Sequence, residues 1–166
     1  MSEAAAGRGP AAGGAAGNAS SGQRTLQYTT FYLDKLFFGV ETVKVQEVLK
    51  CQPTTPVALA PAVVSGLINL RGQIVTSIDL RRRLGLAERP PGQLPLNVVV
   101  RGEDGAVSLL VDEIGDVIDV NPELHEPPPE NTPEIVRATL HGVYQLPDRL
   151  LLALATERLL QFDSAL

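Results

Sequence analysis

Ser65-Gly66-Leu67-Ile68-Asn69-Leu70, moved 76 positions along the chain, falls on His141-Gly142-Val143-Tyr144-Gln145-Leu146. Without a gap, Ile74 then meets Leu150, Ile78 meets Leu154, Arg82 meets Arg158 and Leu84 meets Leu160. Upstream, Val40-Glu41-Thr42-Val43 falls on Val111-Asp112-Glu113-Ile114 at a shift of 71, and a loop absorbs the difference. Units this short cannot bury a full core alone, so two copies of one small unit must share a core where they meet.

The clearest part of the unit is a hairpin. Leu67 to Leu70 and Ile74 to Leu80 are apolar runs flanking Arg71-Gly72, the pattern of two strands joined by a tight turn. Alternation puts Ile74, Thr76, Ile78 and Leu80 on one face and Gln73, Val75, Ser77 and Asp79 on the other. Gly72 supplies the turn's backbone angles and leaves the Arg71 guanidinium free to reach outward. Other strands are predicted at Leu26 to Leu33, Leu36 to Val40, Val43 to Leu49, Leu96 to Val100, Ala106 to Val111, Gly115 to Val120, Leu140 to Leu146 and Arg149 to Ala155. Short helical turns are predicted over Ala58 to Val64, before Gly85 and from about Thr156, with Glu88 to Pro95 as a linker and Pro122 to Pro133 as a loop.

About five strands per unit are too few to leave edges open, so each unit is predicted to close on itself. The fold class is therefore all-β: two tandem five-stranded barrels packed together, with short helices. The first barrel is expected over roughly 25–88 and the second over 94–162, with exchange of strands between them left open. Residues 1–24, rich in Ala, Gly and Ser, have almost nothing to bury and are expected to be a disordered leader.

Composition excludes several functions. The net charge is -5, and because the leader carries +1 the remainder carries -6, with only 4% aromatic residues and no Trp. An acidic body poor in aromatics argues against nucleic acid and anionic lipid as partners. No apolar run reaches the length of a membrane span, so direct membrane insertion is not expected, and the use of only one cysteine fits a reducing cytoplasm. A single cysteine, Cys51, allows no internal disulfide and is expected to be inert and partly buried. His125 and His141 lack companions at ligand spacing, so neither a metal nor another cofactor is expected. Asp112 and Glu113, adjacent on a strand, point to opposite faces, which removes the most tempting carboxylate pair and leaves no catalytic residue to name. Arg81-Arg82-Arg83 reads as a solvated helix face.

From about Gln27 to Leu160 the chain resembles the CheW family of chemotaxis coupling proteins. The matching elements are Lys44-Val-Gln-Glu-Val48, Gly66-Leu-Ile-Asn-Leu-Arg-Gly72, Ile78-Asp-Leu-Arg81, Val111-Asp-Glu-Ile-Gly-Asp-Val117 and Gly142 with Asp148-Arg-Leu-Leu-Leu152, in family order and spacing. The resemblance implies two SH3-like barrels, no catalysis, and an adaptor that is monomeric when isolated. Such an adaptor joins the helical hairpin tip of a chemoreceptor to the regulatory domain of a CheA-type histidine kinase. The alternative within the same fold is a regulator that binds the kinase without receptor coupling, as a competitor or sequestering protein.

Carried over by position, the receptor contact involves Val45, Glu47, Arg71, Val98, Val99 and Val117, while no residue is assigned to the kinase. Each valine reads equally well as core, and Glu47 as a solvated charge. Gly66, Gly72 and Gly142 read as turn residues, and Asp79 as a local structural group near Arg81. Thr76, Ser108 and Ala155 depart from the family pattern, and the loop Glu126 to Asn131 lacks the arginine and aromatic residue that some relatives present there to neighbouring subunits.

Overall fold

The computed structural model describes residues 25–161, so the expected leader lies outside the described residues. Ten strands alternate with short helical turns: β1 Leu26–Leu33, β2 Leu36–Glu41, β3 Val45–Leu49, β4 Val64–Leu70, β5 Gln73–Asp79, α1 Leu80–Arg83, β6 Leu96–Gly102, β7 Gly105–Val111, β8 Glu113–Val120, α2 Glu134–Arg137, β9 Leu140–Gln145, β10 Leu150–Leu154 and α3 Thr156–Leu159. Residues 58–63 carry turns and no helix while Val64 already belongs to β4, β3 starts only after a 3-10 turn at Thr42–Lys44, and α2 follows the proline-rich loop, where no helix was expected.

The strands assemble into two five-stranded mixed sheets, β8-β1-β2-β10-β9 and β3-β6-β7-β5-β4. In each, one parallel pairing, β2 with β10 and β7 with β5, joins antiparallel ladders. The sheets do not follow chain order: hairpin β1-β2 completes the sheet built from β8, β9 and β10, and hairpin β6-β7 completes the one built from β3, β4 and β5. Under the repeat, β1 to β5 map onto β6 to β10 and the two sheets become copies of one another.

Closure by hydrogen bonds is where the structure departs from the expected barrels. Among the described residues no ladder joins the outer strands of either sheet. An edge segment covers one outer strand instead, Thr55 bridging Leu67 on β4 and Glu126 bridging Val143 on β9. Gly66 and Gly142, equivalent under the repeat, make room for these crossings. A Cβ on Gly66 would lie 2.4 Å from the Thr55 carbonyl oxygen, and one on Gly142 would lie 2.2 Å from His125 Nε2. Both sit within strands, so they are close-approach residues and not the turn residues that the sequence suggested. Gly72 does sit in a turn, with Arg71 and Gly72 both at positive φ (52° and 85°) as a two-residue hairpin turn requires.

Alternation along the strands feeds three cores. The central one lies between the sheets and includes Phe31, Leu33, Phe38, Val40, Ile78, Val98, Val100, Leu109, Leu152 and Leu154. Each sheet also curls around a smaller core, Tyr28, Phe37, Val120, Tyr144, Leu151 and Ala153 in the first and Ile68, Leu70, Val75 and Val99 in the second. Strand β5 is therefore buried on both faces beyond its tip, with Val75 facing the small core and Ile78 the central one, while Ile74 next to the turn is 61% exposed.

Candidate protein-docking site

Strand β3 is an edge strand, and pairing with β6 sets Glu47 opposite Val99 and Leu49 opposite Asn97. Opposed residues share a face, so the Glu47 side chain lies on the side of the sheet that holds the small core around Val99. The β4-β5 turn carries Arg71 to the same place from the far edge. Its guanidinium makes a bidentate pair with Glu47, both N···O distances 2.7 Å, and so links β3 to the β4-β5 hairpin, the two edges that no ladder joins. The Glu47 side chain is 15% exposed and that of Arg71 73% exposed. Arg71 is thus held by its inner side and open on its outer one, neither free nor buried. The hydrogen bonds and charge of Glu47 keep the guanidinium protonated even more firmly than usual.

The other candidates separate. Val45 is half-buried against the central core, where its strand partner is Val100. Val98 and Val99 have no exposed surface: the first belongs to the central core and the second to the small core of its own sheet. Val117 is 53% exposed on β8, an edge strand of the other sheet. The structure therefore brings Glu47, Arg71 and Val99 together, with Val99 beneath the ion pair, and sets Val117 apart. Exposed Val48 adjoins Glu47 in sequence, and exposed Ile74 follows the Arg71-Gly72 turn.

A buried charge cluster went unread. Asp79 ends β5 and accepts a hydrogen bond from the Arg81 backbone N–H, capping α1. Arg81 is not solvated: it donates to Asp112 and, through Nη1, to the carbonyls of Ala87 and Glu88. Arg89 donates to Asp112 through Nε at 3.1 Å and lies 3.7 Å from Asp79. Asp112 also accepts from the Asp34 backbone N–H in the β1-β2 turn, at 2.7 Å. Burial pushes the Asp112 carboxyl up, but the hydrogen bonds from Arg81, Asp34 and Arg89 and the charge of Arg81 outweigh it and hold the group below its ordinary value. One carboxylate thus ties the supposed linker, α1 and the turn of the opposite sheet together. The signal available was an aspartate set directly against the end of the apolar run Leu109-Leu110-Val111. Arg83 caps the end of α3 by donating to the carbonyls of Arg158, Leu159 and Gln161, so only Arg82 of the three arginines keeps a substantially exposed side chain.

Cys51 is exposed, contrary to expectation. No group of three or more potential metal ligands occurs among the described residues, and none of their helices is long and apolar enough to cross a membrane. The surface here carries a half-open arginine-glutamate pair that joins an edge strand to a hairpin turn.

Comparison with known proteins gives the family. The profile of the CheW-like domain matches residues 27–164. The chemotaxis protein CheW of Treponema pallidum is 32% identical over 138 residues, covering 81% of each chain. The probable chemotaxis protein CheW of Rhizobium etli is 30% identical over 140 residues, covering 84% of this chain and 90% of its own. The crystal structure of the scaffolding protein TtCheW from Thermoanaerobacter tengcongensis superposes with a TM-score of 0.75 at 25% identity, over 84% of this chain and 95% of that one. The chain belongs to the CheW-like domain family and is a non-enzymatic scaffold of chemotaxis signal transduction.

Proposed function

We propose that this scaffold seats the helical hairpin tip of a chemoreceptor on the Glu47–Arg71 end of its second sheet and holds a CheA-type kinase regulatory domain elsewhere on its surface, in the cytoplasm beneath a receptor array. The observation that carries the reading is the two-sided state of Arg71: its carboxylate partner fixes the guanidinium in place while most of the side chain stays open. A positioned cation at an exposed turn offers an amphipathic helix the charge that sets its register, while exposed apolar area on the same sheet, Val48 on β3 and Ile74 on β5, projects from the face opposite to Glu47 and Val75. Glu47 positions Arg71 from β3, Val45 packs that strand against the central core, Val117 adds a separate contact on β8, Val99 lies in the core on the face that carries Glu47, and Val98 supports β6 from the other face.

Replacing Arg71 by Glu sets two carboxylates at the tip in place of the ion pair. Because the tip is exposed, the circular dichroism spectrum should be unchanged while receptor retention in a pull-down falls at least tenfold. Normal retention would remove the tip from the receptor site. Kinase autophosphorylation with and without receptor then separates adaptor from competitor, since an adaptor changes the rate chiefly when receptor is present.

A further inference from the structure

Residues 42–62 form a strap of 21 residues in which none is buried, running through the 3-10 turn Thr42–Lys44, β3 and the segment that bridges Thr55 to Leu67. The equivalent stretch of the second repeat, 113–138, is anchored by buried Val120 and Val136. The strap carries the exposed apolar side chains Val43, Val48, Val57 and Leu59, the last at φ 65°, an unfavourable backbone angle for a residue with a side chain. What holds it is the β3-β6 ladder, with a bulge between Val45 and Glu47, the two backbone hydrogen bonds between Thr55 and Leu67, the packing of half-buried Val45 and Leu49, and a short set of polar contacts. Arg71 grips Glu47, Arg101 donates to the Val43 carbonyl at 2.7 Å, Asn97 donates to the Lys50 carbonyl at 3.0 Å, and Arg82 donates to the Ala62 carbonyl at 3.1 Å.

Beneath it lies the small core of the second sheet, to which β3 contributes only the half-buried Leu49. We infer that residues 42–62 open as one unit while the rest of the chain stays folded, that the Glu47–Arg71 pair is the latch, and that opening uncovers the apolar floor formed by Ile68, Leu70, Val75 and Val99. The physical ground is contact density. A segment with no fully buried side chain, held by one edge ladder and one isolated bridge, has less to lose on detaching than the strands it covers, and such segments form the low-stability cooperative units of a domain. Val99, opposite Glu47 in the ladder, is the fully buried side chain most directly covered by β3. This deepens the reading of the tip as a docking site, because a partner that engages Arg71 competes for the latch and thereby gains access to the floor.

The test needs no partner, so its failure is distinct from failure of the receptor assignment. Native-state hydrogen exchange of the full chain is followed by NMR across sub-denaturing urea. Strap amides, and the β6 amides that face β3, should exchange at least tenfold faster than those of β7, with a common urea dependence smaller than that of global unfolding. Arg71→Gln should speed the strap amides about 2- to 5-fold, the range for a solvent-exposed ion pair, and leave β1, β2, β9 and β10 unchanged. Gly66→Ala, whose Cβ presses on the Thr55 carbonyl oxygen, should speed them further, whereas Gly142→Ala should not. In a Cys51→Ser background, a cysteine introduced by Val99→Cys should react with a thiol reagent at the strap's opening rate. Strap amides that exchange only through global unfolding, that exchange with no urea dependence, or a thiol labelled only on full denaturation would each overturn the inference. If Gly66→Ala does not fold, the wild-type urea series and Arg71→Gln decide.

Discussion

Removing the Asp112 carboxylate should be among the most damaging single changes in the molecule. Its side chain is 4% exposed, that of Arg81 6% and that of Arg89 10%, so Asp112→Ala leaves two guanidinium groups in a space that water barely enters. Arg89 retains Asp79 at 3.7 Å, but Arg81 keeps only carbonyl partners. Breaking a buried pair by deleting one partner costs about 3–5 kcal/mol, a large share of the roughly 5–15 kcal/mol that holds a domain together. The assay is urea unfolding followed by circular dichroism. A double-mutant cycle with Arg81→Met should give a coupling energy of about 1–3 kcal/mol, because the two residues share hydrogen bonds. The same carboxylate shapes the acid response. A group whose folded-state pKa is depressed contributes stability that is fully present above its unfolded value, near pH 4, and is lost as pH falls through the folded value. Wild-type stability should therefore drop more steeply below pH 4 than that of Asp112→Asn, which has no charge to lose. A loss under about 1 kcal/mol in Asp112→Ala, or acid profiles that run parallel, would refute the assignment of this cluster as the junction between the sheets.

Two further perturbations separate structural from surface roles. Val99→Ala, in a side chain with no exposure, should cost about 1–3 kcal/mol of unfolding free energy, while Val117→Ala, about half-exposed, should cost less than about 0.5 kcal/mol and act instead on receptor retention. Gly142→Ala should lower stability by about 1–3 kcal/mol, because the new methyl group meets both the His125 ring and the Glu126 backbone oxygen, 2.7 Å away. A thermal midpoint equal to wild type would mean that the crossing segment 125–126 is not held against β9 as described.

Strand positions were legible because alternation of apolar residues is a local property, and the repeat was legible because its registers survive in Gly66 and Gly142. Pairing was not. Alternation says which residues of Leu26–Leu33 or Leu96–Gly102 face a core but not which core, so a hairpin that completes the other copy's sheet looks the same in sequence as one that stays at home. The candidate site was half legible for the same reason. Glu47 and Arg71 are recognisable by type and place, yet their meeting depends on a curl that brings together opposite edges of one sheet. Val98 and Val99 are consecutive on β6, so they necessarily enter different cores, and no property of the run Val98-Val99-Val100 distinguishes a floor from a groove. Arg81 was misread because a run of three arginines looks solvated until the fold sets a buried carboxylate beside its first member.

The repeat also shows where the two sheets have parted in chemistry. Leu26, Phe37 and Ala153, around the small core of the first sheet, correspond to Asn97, Ser108 and Ser77 in the second. All three polar residues are buried. Ser108 donates to Asn97 at 2.6 Å and Asn97 in turn holds the Lys50 carbonyl, so two of the three spend their polarity on fastening the end of β3. Ser77 Oγ has no hydrogen-bond partner among the described residues. A buried hydroxyl without a partner is a net loss relative to a methyl group, because its desolvation is uncompensated. Ser77→Ala, which copies the residue at position 153, should therefore be neutral or stabilise by up to about 1 kcal/mol in urea unfolding. Ser108→Ala should destabilise by about 1–2 kcal/mol, since it leaves the Asn97 carbonyl oxygen unpaired in the same core. If both substitutions destabilised equally, the second sheet's interior would be a single satisfied network, and the weak hold on β3 would have to come from its edge position alone.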